Sequence, residues 1–210
     1  MLNIMAEHRQ EREIKYYVSD LARIASHLEE MGARLVQPRV LEVNLRFDTR
    51  DSDLSKAHRL IRLRQDTAAH LTYKGPSRWE SGVRARQEIE FTVSDFEGAR
   101  LFLEALDYQV VLKYEKYRAV YAVQGVHVTL DELPYGFFVE LEGESPAAIR
   151  ELSDRLGLNW AARVSESYTA LFERLSTDLR LSFRDLSFEN FRDLKITSAD
   201  LAVRAADEHD

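Results

Sequence analysis

The stretch Glu11-Arg12-Glu13-Ile14-Lys15-Tyr16-Tyr17-Val18 alternates with period two and carries charges of mixed sign on one side. As a helix, it would place Glu11 and Lys15 four apart as an ordinary surface pair. As a strand, it puts Glu11, Glu13, Lys15 and Tyr17 on one face and Arg12, Ile14, Tyr16 and Val18 on the other. The pattern recurs along the chain. Arg62 and Arg64 oppose Ile61 and Leu63, and Lys74 with Thr72 opposes Leu71 and Tyr73. Arg84, Arg86, Glu88 and Glu90 alternate with Val83, Ala85, Ile89 and Phe91. Lys116 and Arg118 share a face, Glu140 and Glu142 alternate with Val139 and Leu141, and Asp131 ends the strand before them. An antiparallel sheet with one solvated face explains any one such strand. A face made almost purely of Arg, Lys, Glu and Asp over six strands fits better as the inside of a closed or nearly closed barrel. Its apolar outer faces are then what the helices cover.

Charge concentrated in a lumen needs compensation by opposite charge, a metal ion or a charged ligand. Lys15, Arg62, Arg64, Lys74, Arg84, Arg86, Lys116 and Arg118 are eight cations; Glu11, Glu13, Glu88, Glu90, Asp131, Glu140 and Glu142 are seven anions. Basic side chains converging from many strands suit a polyphosphate. Clustered carboxylates without histidine or cysteine suit a hard cation, Mg²⁺ or Mn²⁺. Together they point to metal-assisted phosphoryl or nucleotidyl transfer.

The rest of the chain is consistent with a globular protein. Its 210 residues suffice for one sizeable core, or at most two small ones. Hydrophobic content is 45%, yet no apolar run approaches the length of a membrane span. The opening MLNIMAEH lacks the pattern of a signal peptide, and the absence of cysteine excludes disulfides and thiolate chemistry. The expected compartment is the cytoplasm. A net charge of −7 argues against a general nucleic-acid surface. The six histidines, His8, His27, His58, His70, His127 and His209, show no ligand spacing and read as surface or packing residues.

Helices are expected over 19–33, with Ser19 as N-cap, over 94–108 with Phe96, Ala99, Leu103 and Leu106 on one side, over 146–156, and over about 166–176. The first two echo each other at an offset of 75: Val18 matches Val93, Ser19 matches Ser94, Asp20 matches Asp95 and Leu28 matches Leu103. Two readings stand: capped amphipathic helices look alike, or the chain is a two-fold pseudo-repeat with one strand–helix–strands unit per half.

Glu11-Arg12-Glu13-Ile14-Lys15 matches the ExExK signature of the CYTH proteins, also called triphosphate tunnel metalloenzymes. The chain resembles this family in order through RFDT, RLIRLR, LTYKGP, ARQEIEF, KYRAVY, VTLDELPYGFFVELEGE and SYTALF, over residues 7–175. The resemblance implies an α+β fold, an eight-stranded antiparallel barrel with helices packed outside. It implies Glu11 and Glu13 as metal ligands, joined by Glu140 or Glu142. It implies a phosphate cradle of Lys15, Arg62, Arg64, Lys74, Arg86, Lys116 and Arg118, with Arg84 beside them in the charged face. Lys15, Arg62, Arg64, Glu88, Glu90 and Asp131 are the candidate catalytic groups; Glu88, Glu90 and Asp131 could bind a second metal, orient water or hold arginines. Arg46 stands where many members carry an aromatic residue, so recognition of a base or leaving group does not carry over.

Members include triphosphatases and class IV adenylate cyclases. The leading expectation is metal-dependent hydrolysis of a triphosphate, inorganic or organic; the alternative is cyclisation of ATP to cyclic AMP and pyrophosphate. A non-catalytic polyphosphate binder is the third reading, disfavoured by the metal carboxylates. Residues 1–175 are expected to form the tunnel domain. Residues 176–210 are expected to form a partly helical extension with a mobile acidic end, packed on the body or on a partner subunit of a homodimer.

Overall fold

Apolar residues at every second position need an outer layer to cover them, and charged residues between them need a place away from that layer. In the computed structural model, which describes residues 9–208, both needs are met by a closed barrel. The elements in chain order are β1 (Arg9–Val18), α1 (Leu21–Glu30), β2 (Arg34–Thr49), α2 (Asp53–Lys56), β3 (Leu60–Gln65), β4 (Ala69–Glu80), β5 (Val83–Val93), α3 (Phe96–Ala105), β6 (Tyr108–Val123), β7 (Val126–Leu133), β8 (Gly136–Gly143), α4 (Pro146–Arg155) and α5 (Tyr168–Asp178). Around the barrel the order is β1, β5, β4, β3, β2, β6, β7, β8 and back to β1, every pair antiparallel. Closure leaves no sheet edge unpaired. Two of the hairpins turn on Ser81-Gly82 and Gln124-Gly125, all four with positive φ, the geometry that matches strand twist.

Exchanging β1 with β5, β2 with β6, β3 with β7 and β4 with β8 leaves this cyclic order unchanged. Glu11 faces Arg86, its counterpart 75 residues on, and across the barrel Leu41 and Glu42 face Tyr117 and Lys116. The offset seen in the sequence is therefore the one at which the pseudo-two-fold axis passes through the sheet.

The outer apolar faces form two of the three core clusters. Ile14, Tyr16, Val128, Val139 and Leu141 pack under α1 (Ile24, Leu28), α4 (Ile149, Leu152) and Leu156 just past it, all buried. Leu45, Phe47 and Leu63 pack under α3 through Leu103 and Phe96. A third cluster joins α5 (Leu171, Phe172, Leu175) to Tyr114, Leu133, Tyr135 and Phe138 of the barrel and to Leu186, Phe191 and Leu201 that follow α5.

Some local expectations are corrected. The N-cap of α1 is Asp20, whose carboxylate accepts from the Arg23 N–H, whereas Ser19 turns to Asp207 through both its N–H and its hydroxyl. Leu106, expected on the apolar side of α3, lies past the last turn and is half exposed. α5 runs to Asp178, and the described residues after it form turns and isolated bridges without a further helix. Leu186 bridges to Tyr114 and Ala205 bridges to Tyr17, so this extension lies against β6 and β1. His8, His209 and the stretch Met1–His8 lie outside the described residues.

Candidate active site

The charged residues read from the alternation meet inside the barrel, where they line a cavity of about 800 Å³. Glu11, Glu13, Lys15, Arg62, Arg64, Lys74, Arg84, Arg86, Glu88, Glu90, Lys116, Arg118, Glu140 and Glu142 all border it. Asp131 does not; it sits in the wall, fully buried. Arg12, on the other face of β1, points outward to Glu80, 3.2 Å away.

Each of the eight cations has a carboxylate oxygen within 4.0 Å. Lys74 reaches Glu11 at 2.6 Å and Glu88 at 3.0 Å, and Arg86 reaches Glu11 at 2.6 Å. Arg84 pairs with Glu13, and Lys15 with Glu140 at 3.3 Å. Arg62 and Arg64 pair with Glu90 at 3.4 and 3.3 Å. Arg118 grips Asp131 with two hydrogen bonds of 2.6 and 2.5 Å and Glu140 at 2.9 Å, while Lys116 reaches Asp131 at 3.1 Å. Asp131 also accepts from the Tyr168 hydroxyl at 2.8 Å, so four bonds hold it behind the cavity-lining cations.

Electrostatics follow from these pairs. Burial alone would raise Glu140, but Lys15, Arg118, Lys116 and Arg84 outweigh it and hold its carboxyl well below the usual range. Burial lowers the Lys15 pKa, with Glu140 opposing. Glu142 is the exception among the acids. It stands directly across from Glu13 in the β1–β8 register, and no ion pair within 4.0 Å joins it to a described residue. Burial, reinforced by Glu11, Glu88 and Glu13 against the opposing Lys74, pushes its pKa up to about 7. Glu88 is likewise raised, by burial first and, against Lys74, by Glu11.

This donor set fits a hard divalent cation: all-oxygen ligands, and at Glu142 a carboxyl with no ion pair within 4.0 Å among the described residues. Among the described residues no three acids or histidines converge to metal-binding distance. The reason is visible in the pairs, since Glu11 and Glu13 are turned toward Lys74, Arg84 and Arg86.

Sequence reasoning missed several lumen groups. Glu42 and Asn44 alternate with Leu41, Val43 and Leu45 on β2, the same signal that identified the other strands, and Arg46, noted only as a departure from the family, continues that face. Glu42 is fully buried, 3.5 Å from Lys116, 3.6 Å from Arg64 and 4.0 Å from Arg118. Asn44 is fully buried with neither amide atom bonded. Arg46 donates to Thr169 at 2.6 Å. Thr72, buried, donates to Glu90 at 2.7 Å. His58 and His70, taken as surface or packing residues, border the cavity, with His70 Nδ1 3.7 Å from Glu90.

The SYTALF stretch marks the first turn of α5 as part of the resemblance but assigns it no role; Ser167, Tyr168 and Thr169 reach the cavity from outside the barrel. Lys15 Nζ lies 4.0 Å from the Tyr168 ring centre and donates to the Glu166 carbonyl at 3.2 Å. Beyond Lys15, Glu140 and Asp131 the lumen face turns apolar: the Phe138 ring packs edge-on against Tyr168 and Tyr17, and Leu133 lies in the same buried cluster.

Comparison with known proteins places this geometry. Adenylate cyclase CyaB of Aeromonas hydrophila is 30% identical over 182 residues, 80% of this chain and 92% of the relative. A Vibrio parahaemolyticus protein shares the fold with a TM-score of 0.72 at 20% identity, over 80% of this chain and 99% of that one. HpAC1 of Hippeastrum, described as having a dominant triphosphatase activity, shares it with a TM-score of 0.59 at 20% identity, over 78% and 95%. Residues 9–167 match the CYTH domain, and with the charged barrel in place the chain belongs to the CYTH family.

Proposed function

We propose that this chain hydrolyses a triphosphate, inorganic or organic, with the help of Mg²⁺ or Mn²⁺. The CYTH family contains triphosphatases and class IV adenylate cyclases, and its tunnel enzymes are generally divalent-metal dependent. The observation that carries the reading is the ring of cations from β1, β3, β4, β5 and β6 around one cavity. Their fork and point charges match the oxygens of a phosphate chain. Of the tyrosines that border the cavity, Tyr114 is engaged with Arg62 and Tyr168 with Asp131.

In this reading Lys15, Arg62, Arg64, Lys74, Arg84, Arg86, Lys116 and Arg118 hold the chain. Glu11, Glu13, Glu140 and Glu142 would hold the metal, which supplies charge stabilisation at the transferring phosphoryl group. Glu88 and Glu90 orient water or the neighbouring arginines, and Asp131 fixes Lys116 and Arg118. Cyclisation of ATP is the second reading, favoured by the CyaB relative. Incubating the protein with tripolyphosphate, ATP or thiamine triphosphate, with Mg²⁺, Mn²⁺ or EDTA, separates the readings by product. Metal-dependent phosphate release is the expected result. Cyclic AMP with pyrophosphate would replace hydrolysis by cyclisation, and intact substrate throughout would leave a binder.

A further inference from the structure

Two buried acids stand behind the phosphate-facing cations, and they differ in kind. Asp131 accepts four directional hydrogen bonds, from Lys116, from Arg118 twice and from Tyr168. Glu42 accepts none at either oxygen, although it is fully buried and three cations lie 3.5–4.0 Å away. A hydrogen-bonded carboxylate orients its partners, whereas one held only by distance supplies charge. Burial would raise the Glu42 pKa, but Lys116, Arg118, Arg64 and Arg62 bring it down to about 2, so it is ionised at any working pH. Its place in the wall matters equally. Glu11, Glu13 and Glu140 border the cavity and can turn to a ligand or cation that enters it; Glu42 does not border it, and its charge stays where it is.

We infer that Glu42 is a permanent counter-charge that weakens the hold of Arg64, Lys116 and Arg118 on the phosphate chain and so sets how fast anionic products leave. It is a positioning residue, acting only through those cations. The inference rests on the reading of the cavity as a polyphosphate site. Its physical logic is that equal tightening of substrate and product lowers KM without raising kcat, and slows release. Asp131 and Glu90 already pair with Lys116, Arg118 and Arg64, and Glu42 adds a further negative charge that lowers their pull on an anion.

The prediction has the opposite sign from a structural role. Loss of a merely structural carboxylate would misplace the three cations and weaken anion binding. Glu42→Gln keeps the shape and removes the charge. Calorimetry on the full chain under EDTA should show Kd for tripolyphosphate and for orthophosphate lowered roughly ten-fold or more. With metal, KM and kcat should both fall. Asn44→Asp is the converse change: Asn44 is buried two residues on, with its Cα paired to Arg64, and a carboxylate there adds a second counter-charge. It should weaken tripolyphosphate binding, and it decides the matter if Glu42→Gln does not fold. Unchanged or weaker binding in Glu42→Gln, or unchanged or tighter binding in Asn44→Asp, overturns the inference while leaving the proposed function standing. No binding of tripolyphosphate to the unaltered protein, either under EDTA or with Mg²⁺, overturns both.

Discussion

Arg12 and Lys15 are three residues apart on one strand, and their surroundings give them opposite weights. Lys15 is 5% exposed, between Glu140 and the Tyr168 ring; Arg12 is outside the barrel beside Glu80. Lys15→Ala should cut turnover of the preferred triphosphate by about two orders of magnitude, as loss of a donor in a water-poor site does. Arg12→Ala should change it little, and stability by about 0.5 kcal/mol or less. Equal effects in side-by-side kinetics would reject the strand orientation. Glu142 supplies a pH test. Its folded pKa of about 7 exceeds the unfolded carboxylate value, so the folded state keeps a proton that the unfolded chain releases. This stabilising contribution is whole below about pH 4.5 and is lost as pH rises to about 7. In metal-free protein Glu142→Gln should therefore raise the melting temperature at about pH 8 relative to the unaltered chain, with a smaller difference at about pH 5. A difference that does not grow with pH would refute the assignment.

At the scale of elements, the strand residues that make the lumen are set by β alternation, but what holds α1 and α5 in place comes from far along the chain. Asp207, 2% exposed, accepts from the N–H and hydroxyl of Ser19 and the N–H of Asp20, and pairs with Arg23 at 3.5 Å. It thus satisfies free N–H groups at the start of α1, in addition to the Asp20 cap. Arg174 of α5 likewise joins Glu166 at 2.7 Å and the Leu201 carbonyl. We propose that residues 176–208 fold as one cooperative unit with the barrel. Asp207→Ala should then cost about 1–3 kcal/mol, a loss of several degrees in Tm, with a single unfolding transition. An unchanged Tm would show that the extension is dispensable to the fold.

For the whole molecule, the pairs decide how the barrel tolerates its own interior. Mutual repulsion of lumen cations, a natural expectation from their number, is relieved by the carboxylates interleaved with them. A phosphate chain that takes Arg84, Arg86 and Lys74 leaves Glu11 and Glu13 without partners, and a divalent cation can then replace what was lost. Tripolyphosphate with Mg²⁺ should therefore raise Tm by more than the two separate shifts added together; sodium chloride at matched ionic strength should not. Purely additive shifts in a thermal melt would mean that phosphate and metal do not share these residues.

What the sequence by itself determined is the set of faces. Period-two alternation places Glu11, Arg62, Arg86, Lys116 and Glu140 on the sides opposite Ile14, Leu63, Ala85, Tyr117 and Leu141, because successive side chains of a strand point to opposite faces. It also carried the 75-residue echo and the family resemblance. Ser19 against Asp20 as the cap of α1 was not legible, since the choice depends on Asp207, 187 residues past Asp20. Nor was the split between Asp131, bound by four donors, and Glu42, bound by none, because hydrogen bonding is set by distances across the barrel that no local pattern encodes. Tyr168 is another such case: it is a helix residue in sequence and a wall of the cavity in space. Alternation orders residues along one strand; barrel closure alone decides which charges from different strands become neighbours, and with that which are paired and which, like Glu142, have no ion pair within 4.0 Å among the described residues.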